Sequence, residues 1–325
     1  MSTFNKTLGV VAAAVMAWMG ATAQAQEVPA GKQMRIIVPY SAGGTSDILG
    51  RKLAQQLGDR LGRQVIVENR AGAGGSIGTE ATVRSDADGS TILLHSGAIS
   101  TEPSIKSKLP YDVTKDLAAV TTVVRGPFAL MVSNDLPVKN VQELVSYAKA
   151  NPGKVNYGTP GVGTSVHFAS EFFRSASQAP LTHIPYKGAS AALTALMGNE
   201  VQVVIDPLAT AKKYAEAGKM KALGLTTAKR SDLWPGMQTV AEAGMPSFDT
   251  AVWYGLYVPA KTPAATVERL NQEFVAILKS PDMTKWLSGE GLEAVGDTPA
   301  QSQAYLSKEI AHWKQLAKTA GIQAD

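Results

Sequence analysis

Two hydrophobic periods alternate along this chain, and that alternation restricts its possible folds more than any other feature. Met34-Arg-Ile-Ile-Val38 is a strand-length apolar run, and Ile48, Leu49, Leu53, Leu57 and Leu61 follow at helical spacing. Val65-Ile-Val67 and Thr91-Ile-Leu-Leu94 predict two more strands, with a helix over 77–83 between them. The pattern restarts downstream. A helix is predicted over 140–149, with Asn140 as cap and Glu143 three residues on, and Asn151-Pro-Gly153 ends it. Strands over 155–157, 181–184, 201–205 and 222–226 then alternate with helices over 164–175, 189–197 and 208–217. This order is the signature of an α/β fold with a largely parallel sheet.

A last strand-like run, Val252-Trp-Tyr-Gly-Leu-Tyr-Val258, precedes three helices that each open on a polar residue and proline: Thr262-Pro263, Ser280-Pro281 and Thr298-Pro299. Proline suits the first helical position, where its missing N–H has no partner anyway. Thr298 and Gln301 form a capping box. The architecture expected is two-lobed. Residues 26–131 and 250–325 make lobe one, and residues 132–249 make lobe two. The chain crosses between them near 129–133 and 247–252, giving two hinge crossings and a ligand cleft between the lobes.

Residues 1–25 are set apart from this fold. Lys6 is followed by an apolar run from Leu8 to Met19 and then by Ala23-Gln24-Ala25. That is the pattern of a signal peptide cleaved after Ala25, and it predicts export to the periplasm. The run falls short of the ~20 residues of a membrane-spanning helix. The chain has no cysteine, so lipidation at a cysteine, disulfides and thiolate metal sites are excluded. The net charge is +4 and no block of Lys and Arg occurs, so nucleic acid is not expected as a partner.

The informative loops follow strands. Pro39-Tyr-Ser-Ala-Gly-Gly-Thr-Ser-Asp47 joins the first strand to the first helix, which Thr45, Ser46 or Asp47 can cap. Tyr157-Gly-Thr-Pro-Gly-Val-Gly-Thr-Ser165 does the same in lobe two. Each is a glycine-rich turn feeding a helix N-terminus, where free N–H groups and the helix dipole favour an anion. In open α/β sheets ligands sit beyond the carboxyl ends of the strands, so the two loops are expected to clamp a carboxylate across the cleft. Side chains added at Gly43 and Gly163 are expected to obstruct closure. A third loop, Ala71-Gly-Ala-Gly-Gly-Ser-Ile-Gly78, imitates a dinucleotide fingerprint, but its last glycine is one residue late and it follows the second strand.

Several ordered stretches resemble the Bug family, the substrate-binding proteins of tripartite tricarboxylate transporters. They are Ile37-Val-Pro-Tyr-Ser-Ala-Gly-Gly-Thr-Ser-Asp47, Val67-Glu-Asn-Arg-Ala-Gly-Ala-Gly-Gly-Ser76, Asp86-Ala-Asp-Gly-Ser90, Val155-Asn-Tyr-Gly-Thr-Pro-Gly-Val-Gly-Thr164 with His167, and His183-Ile-Pro-Tyr-Lys-Gly188. The resemblance implies a two-lobed periplasmic binding protein fold, a small carboxylate ligand and membrane transporter subunits as partners. No cofactor and no metal are expected, and a monomer is expected. The resemblance places Tyr40, Gly43, Gly44, Thr45 and Asp47 of lobe one, and Thr159, Gly163, Thr164 and Ser165 of lobe two, in the ligand loops. Ser96 and Asp206 are further contact positions. Ser41-Ala42 depart from the prolines of many relatives.

Other roles stay open for some of these residues. Tyr40 suits packing under its loop as well as the cleft floor. Asp47 suits a helix cap, and Asp206, before Pro207, suits one too. No G-x-x-x-x-G-K-[ST] loop or H-E-x-x-H motif occurs, and the four histidines show no metal-ligand spacing. A hydrolase assembled from distant residues and a sensory protein presenting its ligand to a membrane receptor remain the alternatives.

Overall fold

The computed structural model describes residues 32–106 and 108–322, so the signal peptide read over 1–25 lies outside the described residues. β1 (Met34–Val38) lies between β2 (Val65–Asn69) and β3 (Thr91–Ser96), parallel to both. α1 (Thr45–Leu61) buries Leu49, Leu53, Ala54 and Leu57 on one face of these strands, beside Ile36, Leu94 and Phe274. α2 (Ser76–Val83) packs Ala81 and Val83 on the other face, beside Ile37 and Leu93. Ile36 and Ile37 point opposite ways because side chains alternate along a strand.

Two short helices unforeseen in the sequence follow, α3 (Ala98–Ile105) and α4 (Val113–Asp116). They lead into β4, a 16-residue strand over Leu117–Val132. After α5 (Val141–Ala150) come β5 (Asn156–Thr159), α6 (Ser165–Ser177), β6 (Thr182–Pro185), α7 (Ala189–Met197) and β7 (Val203–Pro207). β5 runs parallel to both β6 and β7, repeating the plan of the first half. α8 (Leu208–Glu216) and β8 (Lys221–Leu225) complete this half, and β9 (Ala251–Pro259) returns to the first. α9 (Ala264–Leu278), α10 (Pro281–Gly289), β10 (Glu293–Ala294) and α11 (Pro299–Ala320) end the chain.

β4 and β9 join the halves into one strand order, β2-β1-β3-β9-β4-β7-β5-β6. β4 changes partners in mid-strand. Leu117 to Pro127 pair with β9, while Phe128 to Val132 pair with β7 and β8. Proline brings no N–H to a ladder, so Pro127 suits the switch. The next N–H, of Phe128, donates to Thr226 Oγ1 at 3.0 Å, and the Thr226 hydroxyl donates to the Thr250 carbonyl at 2.8 Å. Buried Thr226 thus ties β4 to the segment entering β9. β4 reads as a nearly unbroken apolar run because both its faces are covered. Phe128, Leu130 and Val132 enter one core of the second half, and Ala129 and Met131 another.

The predicted capping box at Thr298 and Gln301 is present, and Ser280 caps α10 with Pro281 in its first turn. Pro263 differs: it is the N-cap of α9 rather than its first residue, because its own carbonyl accepts the N–H groups of Thr266 and Val267. α11 reaches across to the second half. Its Trp313 meets Phe168 of α6 edge-on at 5.5 Å, in a cluster with Leu316, Ala317 and Ile322.

Candidate functional site

The loop after β1 is held by its own side chains. Gly43 takes a φ of 86°, the left-handed region open to glycine, and donates its N–H to Asp47 Oδ2 at 2.9 Å. Arg51, one helical turn on, places nitrogens 3.0 Å from each Asp47 oxygen. These bonds, Arg51 first and then the Gly43 N–H, hold the Asp47 carboxyl below its usual range. The N-cap of α1 is Gly44, not Thr45, Ser46 or Asp47, and among the described residues no side chain accepts its first-turn N–H groups. The Asp47 N–H bonds the Gly44 carbonyl at 2.9 Å, which leaves those of Thr45 and Ser46 for an anion. Asp47 itself is committed to bracing the loop.

Tyr40 and Ser96 come together at the carboxyl ends of β1 and β3. Their hydroxyls are 2.6 Å apart, and Tyr40 Oη is 3.3 Å from His95 Nδ1. Buried His95 has Nδ1 at 2.8 Å from the Ser96 carbonyl, which can only accept, so that nitrogen carries the proton. Burial lowers the His95 pKa and raises that of Tyr40. Tyr254 of β9, which the sequence reading passed over, sets its hydroxyl against Ser46 and Thr45.

The loop after β5 repeats the device. Gly163, at a φ of 83°, donates its N–H to His167 Nδ1 at 3.2 Å, four residues on as in the first loop. Thr164 caps α6 through the His167 N–H and donates to the Gly161 carbonyl at 2.9 Å. Ser165, half-buried, is the first residue of α6. Thr159 is fully buried and lies 2.7 Å from His183 Nε2. His183 stacks between Tyr157 and His167, with ring centroids 4.9 and 4.3 Å away. Burial, then the neighbouring His183, brings the His167 pKa down to about 4, so its imidazole is neutral at pH 7.

The two halves touch beside these loops. Thr101 Oγ1 of α3 lies 3.5 Å from the Gly163 carbonyl, and a Cβ at Gly163 would stand 2.6 Å from Ile105 Cδ1. A Cβ at Gly43 would meet nothing within 4 Å. The glycine N–H groups expected to grip an anion are therefore bonded within their own loops, and the first turns of α1 and α6 hold the available ones.

Asp206 is neither N-cap nor ion pair. It sits in β7 opposite Ala129, is 2 % exposed, and among the described residues Oδ2 has no hydrogen-bond partner. Burial pushes its carboxyl up to about 7.

One hydrolase-type pattern also escaped the sequence reading: Gly74-Gly75-Ser76-Ile77-Gly78 satisfies G-x-S-x-G. Ser76 is not poised for attack. Its hydroxyl donates to the Ala73 carbonyl at 3.1 Å, and Lys106 Nζ donates to its oxygen at 2.5 Å. An ammonium donor takes up the lone pair that a nucleophile needs. Lys106 also bonds Ala73 O and Glu102, and Tyr111 donates to Glu102 at 2.8 Å, so the group braces the third loop. No group of three or more histidines and carboxylates able to hold a metal occurs among the described residues. Nor is any described helix long and apolar enough to cross a membrane.

Residues 49–322 match the family model of the tripartite tricarboxylate transporter family receptor. The chain belongs to this receptor family. BugT of Bordetella pertussis is 32% identical over 309 residues, covering 94% of each chain. Rpa4515 of R. palustris, solved with adipate, is 34% identical with a TM-score of 0.79 over 90% of this chain and 99% of that one. MatC of Rhodopseudomonas palustris, solved with malate, is 25% identical with a TM-score of 0.75 over 89% of this chain and 99% of that one. The fold is thus that of the two-lobed periplasmic binding proteins of this family.

Proposed function

We propose that this protein is a periplasmic, non-enzymatic receptor that captures a small carboxylate between its lobes and passes it to membrane transporter subunits as a monomer. One observation carries the reading: each half ends a glycine-rich loop in a helix of at least 13 residues with open first-turn N–H groups, and the second of these loops touches the other half. Oriented N–H groups and the helix dipole suit a carboxylate. The adipate and malate held by two relatives support the same ligand class.

Lobe one then comprises 26–131 and 250–325, and lobe two 132–249, with hinge crossings near 129–133, just past the partner switch at Pro127, and near 247–252. The ligand meets the N-terminal turns at Gly44–Thr45 and Thr164–Ser165 and the hydroxyls of Tyr40 and Ser96. Gly43 and Gly163 leave room for close approach. Asp47, Thr159 and Thr164 shape the loops, and Asp206 contributes from β7. Closure follows because a ligand bonded to both lobes binds the closed state better.

The test is a thermal-shift panel on residues 26–325 with mono-, di-, tri- and aromatic carboxylates and their neutral amides. A saturable rise for a carboxylate, absent for its amide, is the expected result. A flat panel, or equal rises for acid and amide, refutes the carboxylate reading.

A further inference from the structure

His95 stands at the carboxyl end of β3, next to Ser96, yet it is 0 % exposed and cannot touch a ligand itself. The two ring nitrogens meet opposite surroundings. Nδ1 lies 2.8 Å from the Ser96 carbonyl and 3.3 Å from the Tyr40 hydroxyl. Nε2 is buried, and among the described residues it has no hydrogen-bond partner. The third loop covers it: a Cβ at Gly75 would stand 2.7 Å from Nε2 and 3.3 Å from Glu102 Oε1. A neutral imidazole carries a single N–H, and the Ser96 carbonyl draws it to Nδ1. Burial keeps the ring neutral. Glu102, the neighbour that would favour a charged ring, is occupied by Tyr111 at 2.8 Å and Lys106 at 3.3 Å.

The place of that proton sets the hydrogen balance of the neighbouring hydroxyls. Tyr40 and Ser96 bring two O–H groups, and one hydrogen is spent on the 2.6 Å bond between them. The other has no acceptor on the protein while Nδ1 is protonated. Among the described residues Tyr40 Oη bonds only Nδ1 and Ser96 Oγ, and Ser96 Oγ bonds only Tyr40 Oη and the Ala98 N–H at 3.4 Å. An imidazole N–H and a backbone N–H are donors, so neither takes a hydroxyl hydrogen. The opposite tautomer would present a bare Nδ1, which would take up that second hydrogen and leave none over.

We infer that buried His95 is a positioning residue: its Nδ1–H closes the inner end of the Tyr40–Ser96 pair, so that one hydroxyl hydrogen of the pair is left to donate to a ligand. This role rests on the carboxylate-receptor reading above, in which both hydroxyls meet the ligand. A carboxylate only accepts, and here it finds a donor that is spare before it arrives. Its bond to that donor is charge-assisted and so stronger than a bond between neutral groups. His95 thus acts on the ligand through Tyr40 and Ser96 and not by contact.

The tautomer is read first, without ligand, from the imidazole nitrogen resonances of isotope-labelled wild-type protein at neutral pH. The His95 signals are those that His95→Asn removes. Nδ1 is expected to resonate as a protonated ring nitrogen and Nε2 as a bare one. Adipate affinity is then measured by titration calorimetry on two variants of matched size. Asn Nδ2 takes the place of Nδ1 and keeps a donor there, whereas His95→Leu keeps none. In His95→Leu the Ser96 carbonyl loses its donor and competes with adipate for the spare hydrogen. That variant is expected to bind about fivefold more weakly than wild type, the size of one ordinary hydrogen bond, and His95→Asn to recover most of the loss. Tyr40→Phe with Ser96→Ala is expected to bind adipate about tenfold more weakly. In that background no hydroxyl remains to direct, so Asn and Leu at position 95 should bind adipate alike.

A wild-type His95 protonated at Nε2 overturns this role while leaving a carboxylate receptor standing. So does His95→Leu binding adipate like the wild type, His95→Asn binding no better than His95→Leu, or an Asn–Leu difference that persists without the two hydroxyls. The last of these would mark His95 as merely structural. The tautomer decides the matter if the variants do not fold or if adipate alone among the carboxylates fails to bind. No binding of adipate or of any carboxylate in the panel overturns the receptor reading itself.

Discussion

Gly163→Ala isolates the contact between the two halves. Gly163 has a φ of 83°, where an L side chain is strained by about 1–2 kcal/mol. Gly153, in an exposed turn remote from the loops, has a φ of 79° and open space around its Cβ position. Gly153→Ala therefore carries the same backbone strain and nothing else. At Gly163 the new methyl would stand 2.6 Å from Ile105 Cδ1. Ile105 Cδ1 ends a flexible side chain and yields by turning off its rotamer, at up to about 1 kcal/mol. That second term exists only while the loop lies against α3. Both variants should lose similar stability in urea. Gly163→Ala alone should also bind its carboxylate about 5-fold more weakly by calorimetry, the equivalent of ~1 kcal/mol. Ile105→Val removes Cδ1, so the double variant should recover that affinity. Equal affinities for the two alanine variants, or no recovery with Ile105→Val, would refute the claim that this contact forms part of the ligand-bound state.

Further outcomes follow from the same geometry. Asp206 binds a proton more tightly when folded, so its burial is free of penalty below about pH 4 and fully unfavourable above about pH 7. Asp206→Asn should therefore raise unfolding stability at pH 8 but not at pH 4, by at most ~4 kcal/mol before the amide's own unmet bonds are counted, as read by urea titration. Asp47 has the opposite sign: its stabilisation is present above the ordinary carboxyl range and lost as pH falls through the lowered folded pKa, so Asp47→Asn should flatten the acid limb of a stability curve. Trp313→Ala, which empties a largely buried site facing Phe168, should lower stability by about 3–5 kcal/mol in urea titration. Ser76→Ala should leave any background ester hydrolysis unchanged, and a drop to zero would revive the hydrolase alternative.

What the sequence disclosed about this molecule was local. Helices with a polar cap and a clear face, such as those opening on the Thr298–Gln301 box and the Ser280 cap, are set by residues three or four apart, and they stand where the pattern put them. β4 was harder to read because its apolar residues serve several cores at once and Pro127 looks like a break. Only the partner switch, made between residues more than 70 apart in sequence, gives that proline a place in mid-strand. The site follows the same division. The glycine-rich turns and the helix N-termini after them are legible from composition alone. That Gly43 and Gly163 spend their N–H groups on Asp47 and His167 is a matter of side-chain direction, which no spacing specifies. Asp206 shows the limit most clearly. An Asp before a proline and a helix has the local grammar of a cap, and the neighbours that would have made it one or paired it lie on other elements. Its environment is defined by what β4, β5, α6, α7 and α8 do not supply, and a missing partner leaves no mark in a sequence.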